Sequence, residues 1–143
     1  MVAANRDIKT IKKIIVHCSD SDHYEADNLE WIWRIHVLQN KWSDVGYHFF
    51  INKLGQVKTA RPIDKVGSHC QGHNFDSIGV CLSGKKEFNS RQFQAAHTLI
   101  KELMQKHGIL KSDVYPHNHF NHDKTCPNFA LANIWKFEPK TVS

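Results

Sequence analysis

The sequence predicts a single α/β domain across residues 1–143, a central mixed β-sheet flanked by helices with its core at about 13–136. Short apolar, β-branched runs at 13–18, 47–52 and 77–83 have the length and composition of buried strands. Residues 90–107 instead repeat their apolar positions at helical spacing. Leu54-Gly55 turns the 47–52 run toward Gln56-Val57-Lys58 as a hairpin would, giving the sheet an antiparallel pair.

The first run, KIIVHC, ends in polar Ser19-Asp20 and delivers His17 to the C-terminal edge of a buried strand. Asp27 or Asn28 can cap a helix over about 28–40, with Leu29, Ile32, Trp33, His36 and Val37 near one face. In the 47–52 strand, Tyr47 and His48 are adjacent and point to opposite faces. Residues 67–74 mix glycine, polar residues and two histidines, the pattern of a loop. SIGVCLS is the next buried strand, closed by Gly84. Ser90 opens a helix to about His107, with Phe93, Ala96, His97, Ile100, Leu103 and Met104 at helical spacing and Gly108 as its stop. A short last strand at 114–117 and a closing helix at 128–135 complete the chain. In such sheets, active-site residues gather at strand ends. Two of these strands end in or near a histidine.

Composition narrows the function classes. The length holds one core, and neither repeats nor low-complexity segments occur. A formal charge of +5 favours polyanions in general. The lysines are scattered from Lys9 to Lys140 with no base-reading motif, so direct nucleic-acid binding is not expected. The N-terminal MVAANRDIKTIKK carries charges where a signal peptide needs an apolar core, and the longest early apolar run is Ile14-Ile15-Val16. Membrane insertion is therefore not expected, and a cytoplasmic start is. In that compartment the four cysteines should be free thiols, with Cys18 and Cys81 buried in strands. Eleven histidines, several between His117 and His122, raise the prospect of metal binding.

His17, His117 and Cys126 form the set with the clearest chemistry. Two imidazoles and a thiolate supply zinc with three ligands and leave a fourth position for water, as in catalytic sites. Bound zinc lowers the pKa of that water and polarises a carbonyl, the two tasks of amide hydrolysis. Taken singly, His17 reads as a core histidine and Cys126 as an inert buried thiol. The spacing also leaves His119 and His122 as competitors for the second histidine position.

The stretches IIVHCSD, GYHFFINKLGQV, VGSHCQGHNFDSIGVCLSG and KTCPNF, in that order, resemble the type 2 N-acetylmuramoyl-L-alanine amidases. That family includes the T-seven-type phage lysozymes and the peptidoglycan recognition proteins. The resemblance runs from about Ile14 to Trp135 and implies their fold. It also implies zinc-dependent cleavage of the lactyl–L-alanine amide of bacterial peptidoglycan. By resemblance, His17, His117 and Cys126 hold Zn2+, while Tyr47 and Lys124 are catalytic. His117 to Cys126 is one residue longer than in the phage lysozymes, which a loop insertion near Asn121 would reconcile. His69, with His73 and Asn74 in the same loop, is expected near the substrate. Cysteine rather than aspartate at 126 favours the phage-lysozyme and recognition-protein branch.

The implied setting is a phage or prophage endolysin, monomeric, held in the host cytoplasm until it is released onto the wall. A peptidoglycan-binding protein without activity is the alternative, as is a regulatory protein that binds an RNA polymerase, a second activity of the T-seven-type lysozymes. The 3–9 segment would be a contact arm in that case, or else a frayed terminus.

Overall fold

The computed structural model describes residues 4–34, 38 and 46–139. Among them are five strands: β1 (Lys13–Cys18), β2 (Phe49–Ile51), β3 (Val57–Thr59), β4 (Ser77–Leu82) and β5 (Val114–Pro116). They form one sheet in the order β3-β2-β4-β1-β5. β1 runs parallel to β4 over six residue pairs, from Lys13↔Ser77 to Cys18↔Leu82, and parallel to β5 from Ile14↔Val114 to Val16↔Pro116. β2 is parallel to β4 and antiparallel to β3, so the predicted mixed sheet and its hairpin are both present.

The hairpin turns where Gly55 adopts φ 80° and donates its N–H to the Asn52 carbonyl at 2.9 Å. A side chain at Gly55 would also meet the Arg91 carbonyl oxygen at 2.7 Å, so glycine is required twice over.

Strand alternation divides the apolar residues between two faces. On one, Ile14 and Val16 of β1, Ile51 of β2 and Ile78, Val80 and Leu82 of β4 pack against helix α2 (Ser90–His107) and helix α3 (Ala132–Trp135). α2 contributes Phe93, Ala96, Leu99, Ile100 and Leu103, and α3 contributes Ile134. Burial of each such aliphatic side chain is worth about 1.5–3 kcal/mol, so this face dominates the stability. On the opposite face Phe50 and Cys81 pack against Ile32 of helix α1 (Leu29–Trp33). Helices thus cover both faces, as the strand pattern predicts.

The helix ends follow from local chemistry. The Asn28 side chain accepts the Glu30 N–H to cap α1, while Asp27 accepts the Lys53 N–H at 2.8 Å instead. Residues 35–37 and 39–45 lie outside the described residues, so the predicted helical positions His36 and Val37 do too. α2 matches the expected span, but its cap is Asn89, one residue before Ser90. Asn89 and Gln92 exchange hydrogen bonds in a capping box, and Gly108 closes the helix at φ 65°. The closing helix begins at Ala132 rather than 128, because Asn128 sits at φ 65°, outside helical backbone geometry. β5 stops at Pro116, and His117 opens a one-turn 3-10 helix, His117–His119.

From Ala4 onward the N-terminal segment is tied down. Val66 donates to the Ala4 carbonyl, and Arg6 donates to the carbonyls of Ile63, Asn74, Phe75 and Ser77. All four cysteines are free thiols. No helix among the described residues is long and apolar enough to cross a membrane.

Gln92 is fully buried, and its Nε2 donates to the Ser83 carbonyl at 2.7 Å while its Oε1 completes the cap. Gln92→Ala is expected to lower the unfolding free energy by about 2–3 kcal/mol, through a lost cap and an orphaned buried carbonyl. Urea denaturation of the two proteins measures this; a change under 0.5 kcal/mol, roughly that of an ordinary surface substitution, would refute it.

Candidate active site at the strand ends

The face of the sheet that carries α1 is only partly covered by it. Alternation puts His17 of β1 there with its register partner Cys81, and Gly79 and Ser77 follow along β4. The rest of the site is built on that ledge.

Two neighbours of β1 bring the other groups to His17. Because β5 pairs Val16 with Pro116, the next residue, His117, arrives beside His17 with ring centroids 4.3 Å apart. The chain then makes a tight excursion through Asn121 and returns, and Asn118 donates its N–H to the Cys126 carbonyl at 3.0 Å. That closure places Cys126 Sγ at the end of β1, where it accepts the Cys18 backbone N–H at 2.9 Å. The ligand atoms of His17, His117 and Cys126 lie within 4.8 Å of one another. His119 instead stacks on Tyr115 at 4.8 Å, and both His119 and His122 are exposed.

A pocket of about 230 Å³ opens over the cluster, walled by Ser19, Asp20, Tyr47, Ser68, His69, Lys124 and Thr125 as well as the three cluster residues and Cys18. Tyr47, just ahead of β2, brings its ring to 5.1 Å from His17. Its neighbour His48 is fully buried with its ring 5.7 Å from that of His69, so the pair ahead of β2 is not split between opposite faces as expected; His48 accepts the Gly79 N–H on Nδ1 and donates from Nε2 to the Lys65 carbonyl. Lys124 lines the pocket with its main-chain N–H held by the Asn121 carbonyl.

The electrostatics of the pocket favour neutral imidazoles. Burial holds His17 well below 6.5, with the adjacent His117 adding to the effect. Burial and then the Lys124 charge lower His117 likewise. A neutral ring keeps a lone pair, the form a metal ion requires. The Cys126 thiol is pushed up by its contact with Cys18 and by burial. Tyr47 is held well above 10, first by burial and then by the sulfurs of Cys81, Cys126 and Cys18, so its hydroxyl keeps its proton. Two imidazole nitrogens and one sulfur, gathered at one side of an open pocket, are a donor set suited to zinc.

The loop histidines have different placements. His69 lines the pocket yet is only 8% exposed, because its ring lies against the sheet beside His17. His73 stands outside the pocket wall, stacked on Phe120 at 4.0 Å and 3.1 Å from Lys13 Nζ. Asn74 orders the loop itself, its Oδ1 accepting the N–H groups of His69 and Cys70. Sequence reasoning passed over Ser77, Gly67 and Gly79, which surround the His69 ring. A glycine inside an apolar strand was the available signal, since it marks a close approach.

The fold and pocket define a class that contains bacterial amidases and peptidoglycan recognition proteins. LysC, an N-acetylmuramoyl-L-alanine amidase from Clostridium intestinale URNW, superposes with a TM-score of 0.80 and 27% identity, over 95% of this chain and 91% of that one. Drosophila PGRP-LB superposes at 0.79 with 24% identity, over 96% and 86%, and shares the fold. The family model for N-acetylmuramoyl-L-alanine amidase matches residues 7–129, and the chain belongs to that family. The endolysin of Enterobacteria phage T3 is 35% identical over 135 residues, 89% of this chain and 87% of its own length.

Beneath the site, His48 makes folding sensitive to acid. Burial, opposed by the bond to the Lys65 carbonyl and reinforced by the charges of Arg6 and Arg61, lowers its pKa to about 4 from 6.5. Between those values the unfolded chain binds the extra proton and the folded one does not. The His48 contribution is therefore complete above 6.5 and is lost as pH falls toward 4. It amounts to about 3 kcal/mol across that window. His48→Asn, whose Oδ1 can accept the Gly79 N–H without titrating, should flatten the fall in unfolding free energy between pH 7 and 4. An unchanged slope in that variant would show that His48 carries no such linkage.

Proposed function

We propose that the protein is a zinc-dependent N-acetylmuramoyl-L-alanine amidase that hydrolyses the lactyl–L-alanine amide of bacterial peptidoglycan as a phage or prophage endolysin. The observation that carries this reading is the convergence of His17, His117 and Cys126 within 4.8 Å, under a pocket that Tyr47 and Lys124 also line. Family membership and the T3 endolysin's similarity support the substrate and the setting.

His17, His117 and Cys126 would hold the ion. When bound, zinc supplies an acidified water and polarisation of the scissile carbonyl. The remaining chemistry belongs to the chain. The Cys18 N–H, aimed at Cys126 Sγ, stabilises negative charge on that sulfur. Lys124 faces the pocket with a cationic head, positioned to offset charge developing on the carbonyl oxygen. Tyr47 retains its proton and can donate a hydrogen bond to the same oxygen. Cys126 acts as a ligand and not as a nucleophile, so no covalent intermediate forms.

Release of L-alanine amino termini from purified peptidoglycan tests the proposal. Wild-type activity should vanish with a chelator and return with zinc, whereas Cys126→Ser should stay inactive after zinc addition. Lys124→Ala should lower kcat by about 10²–10³-fold while zinc content is unchanged. Zinc-loaded protein that binds peptidoglycan from several sources without cutting it would establish the binding-protein alternative. Activity that survives verified zinc removal would overturn the metal mechanism.

A further inference from the structure

The hydrogen bonds behind His17 form a chain in which every proton has an assigned place. At its far end, Ser77 Oγ lies 2.6 Å from the His73 carbonyl oxygen, which can only accept. The single hydroxyl proton goes there. Ser77 Oγ must then accept from His69 Nε2, 3.2 Å away. A neutral imidazole carries one N–H, so His69 Nδ1 is left with its lone pair. That lone pair faces His17 Nε2 at 2.8 Å. His17 must therefore carry its proton on Nε2, which leaves Nδ1 as its basic nitrogen.

The ring that transmits this order is tightly held. A side chain at Gly67 would stand 2.5 Å from His69 Cδ2, and one at Gly79 would stand 2.7 Å from its Cγ. The imidazole thus lies in a slot that two residues without side chains leave open. Its main chain is pinned by Asn74, which accepts the N–H groups of His69 and Cys70. His17 and His69 are 1% and 8% exposed, so solvent offers them few alternative partners.

We propose that His69 is a positioning residue which locks His17 in the Nε2–H tautomer and so makes His17 Nδ1 the metal-binding nitrogen. The inference rests on the reading of His17, His117 and Cys126 as a metal site. A ligand ring that donates its second N–H to a fixed acceptor is held in orientation and made more basic. Here that acceptor is another imidazole, itself oriented by Ser77. The three residues lie along one face: Ser77 starts β4, His17 nearly ends β1, and Gly79 between them clears the space.

Long-range 1H–15N spectra of histidine-labelled metal-free protein read the proton positions directly. Both His17 and His69 should show a protonated Nε2 and an unprotonated Nδ1. Zinc affinity, by competition with a chromophoric chelator, should fall about 10–100-fold in His69→Ala. His69→Asn places an acceptor oxygen near the position of Nδ1 and should recover most of that loss. In Ser77→Ala the His69 proton is no longer directed, and His17 should show mixed tautomers. Circular dichroism confirms folding of each variant before the comparison. A proton on His17 Nδ1 in the wild type would overturn the inference, as would wild-type zinc affinity in His69→Ala or an Asn variant no better than Ala. A wild-type chain that binds no zinc would instead overturn the metal-site reading beneath it.

Discussion

Between Lys13 and Cys18 the chain pairs in parallel with β4 on one side and with β5 on the other, and that double pairing sets the rest of the site. Parallel ladders bring the C-terminal ends of strands to one edge. Register then decides which residues meet there. Val16↔Pro116 brings His117 to His17, and His17↔Cys81 puts the sulfur of β4 under the same edge. A slip of one residue in either ladder would turn His17 into the apolar layer and expose Val16 in its place. The apolar packing of Ile14, Val16, Ile78, Val80 and Leu82 against α2 opposes such a slip, so the core that stabilises the fold also aims the site.

The two faces of the sheet do different work for the same physical reason. One is filled by α2 and α3, whose aliphatic and aromatic side chains form the main apolar layer. On the other, among the described residues, α1 packs over Phe50 and Cys81, while His69 of the 67–74 loop lies against His17, Gly79 and Ser77. Burying imidazoles is costly unless each nitrogen has a partner. Here the partners are one another, a serine hydroxyl and main-chain groups. His48 illustrates the rule beside the site: it is fully buried, yet Gly79 donates to one of its nitrogens and Lys65 accepts from the other.

The pocket combines a rigid floor with chemistry delivered by turns. His17 and the β4 ledge are held by ladder hydrogen bonds, while His117, Lys124 and Cys126 come from one loop closed by the Asn118–Cys126 bond.

Local chemistry in the sequence was enough for the mixed sheet, the span of α2 and the hairpin at Gly55, because strand and helix periodicity, capping residues and turn glycines act over a few neighbours. The family, and His17, Tyr47, Lys124 and Cys126 as candidates, came instead from the resemblance of motifs that each stay intact in one short stretch. The choice among His117, His119 and His122 was not local: all three sit in one polar loop, and only the β1–β5 register and the returning loop bring His117 beside His17. The placement of His69 was likewise invisible along the chain. A loop histidine beside a cleft and a buried histidine bonded to His17 look alike in sequence. They differ only once parallel pairing lays Gly79 of β4 beside β1 and leaves space for a ring where a side chain would otherwise stand.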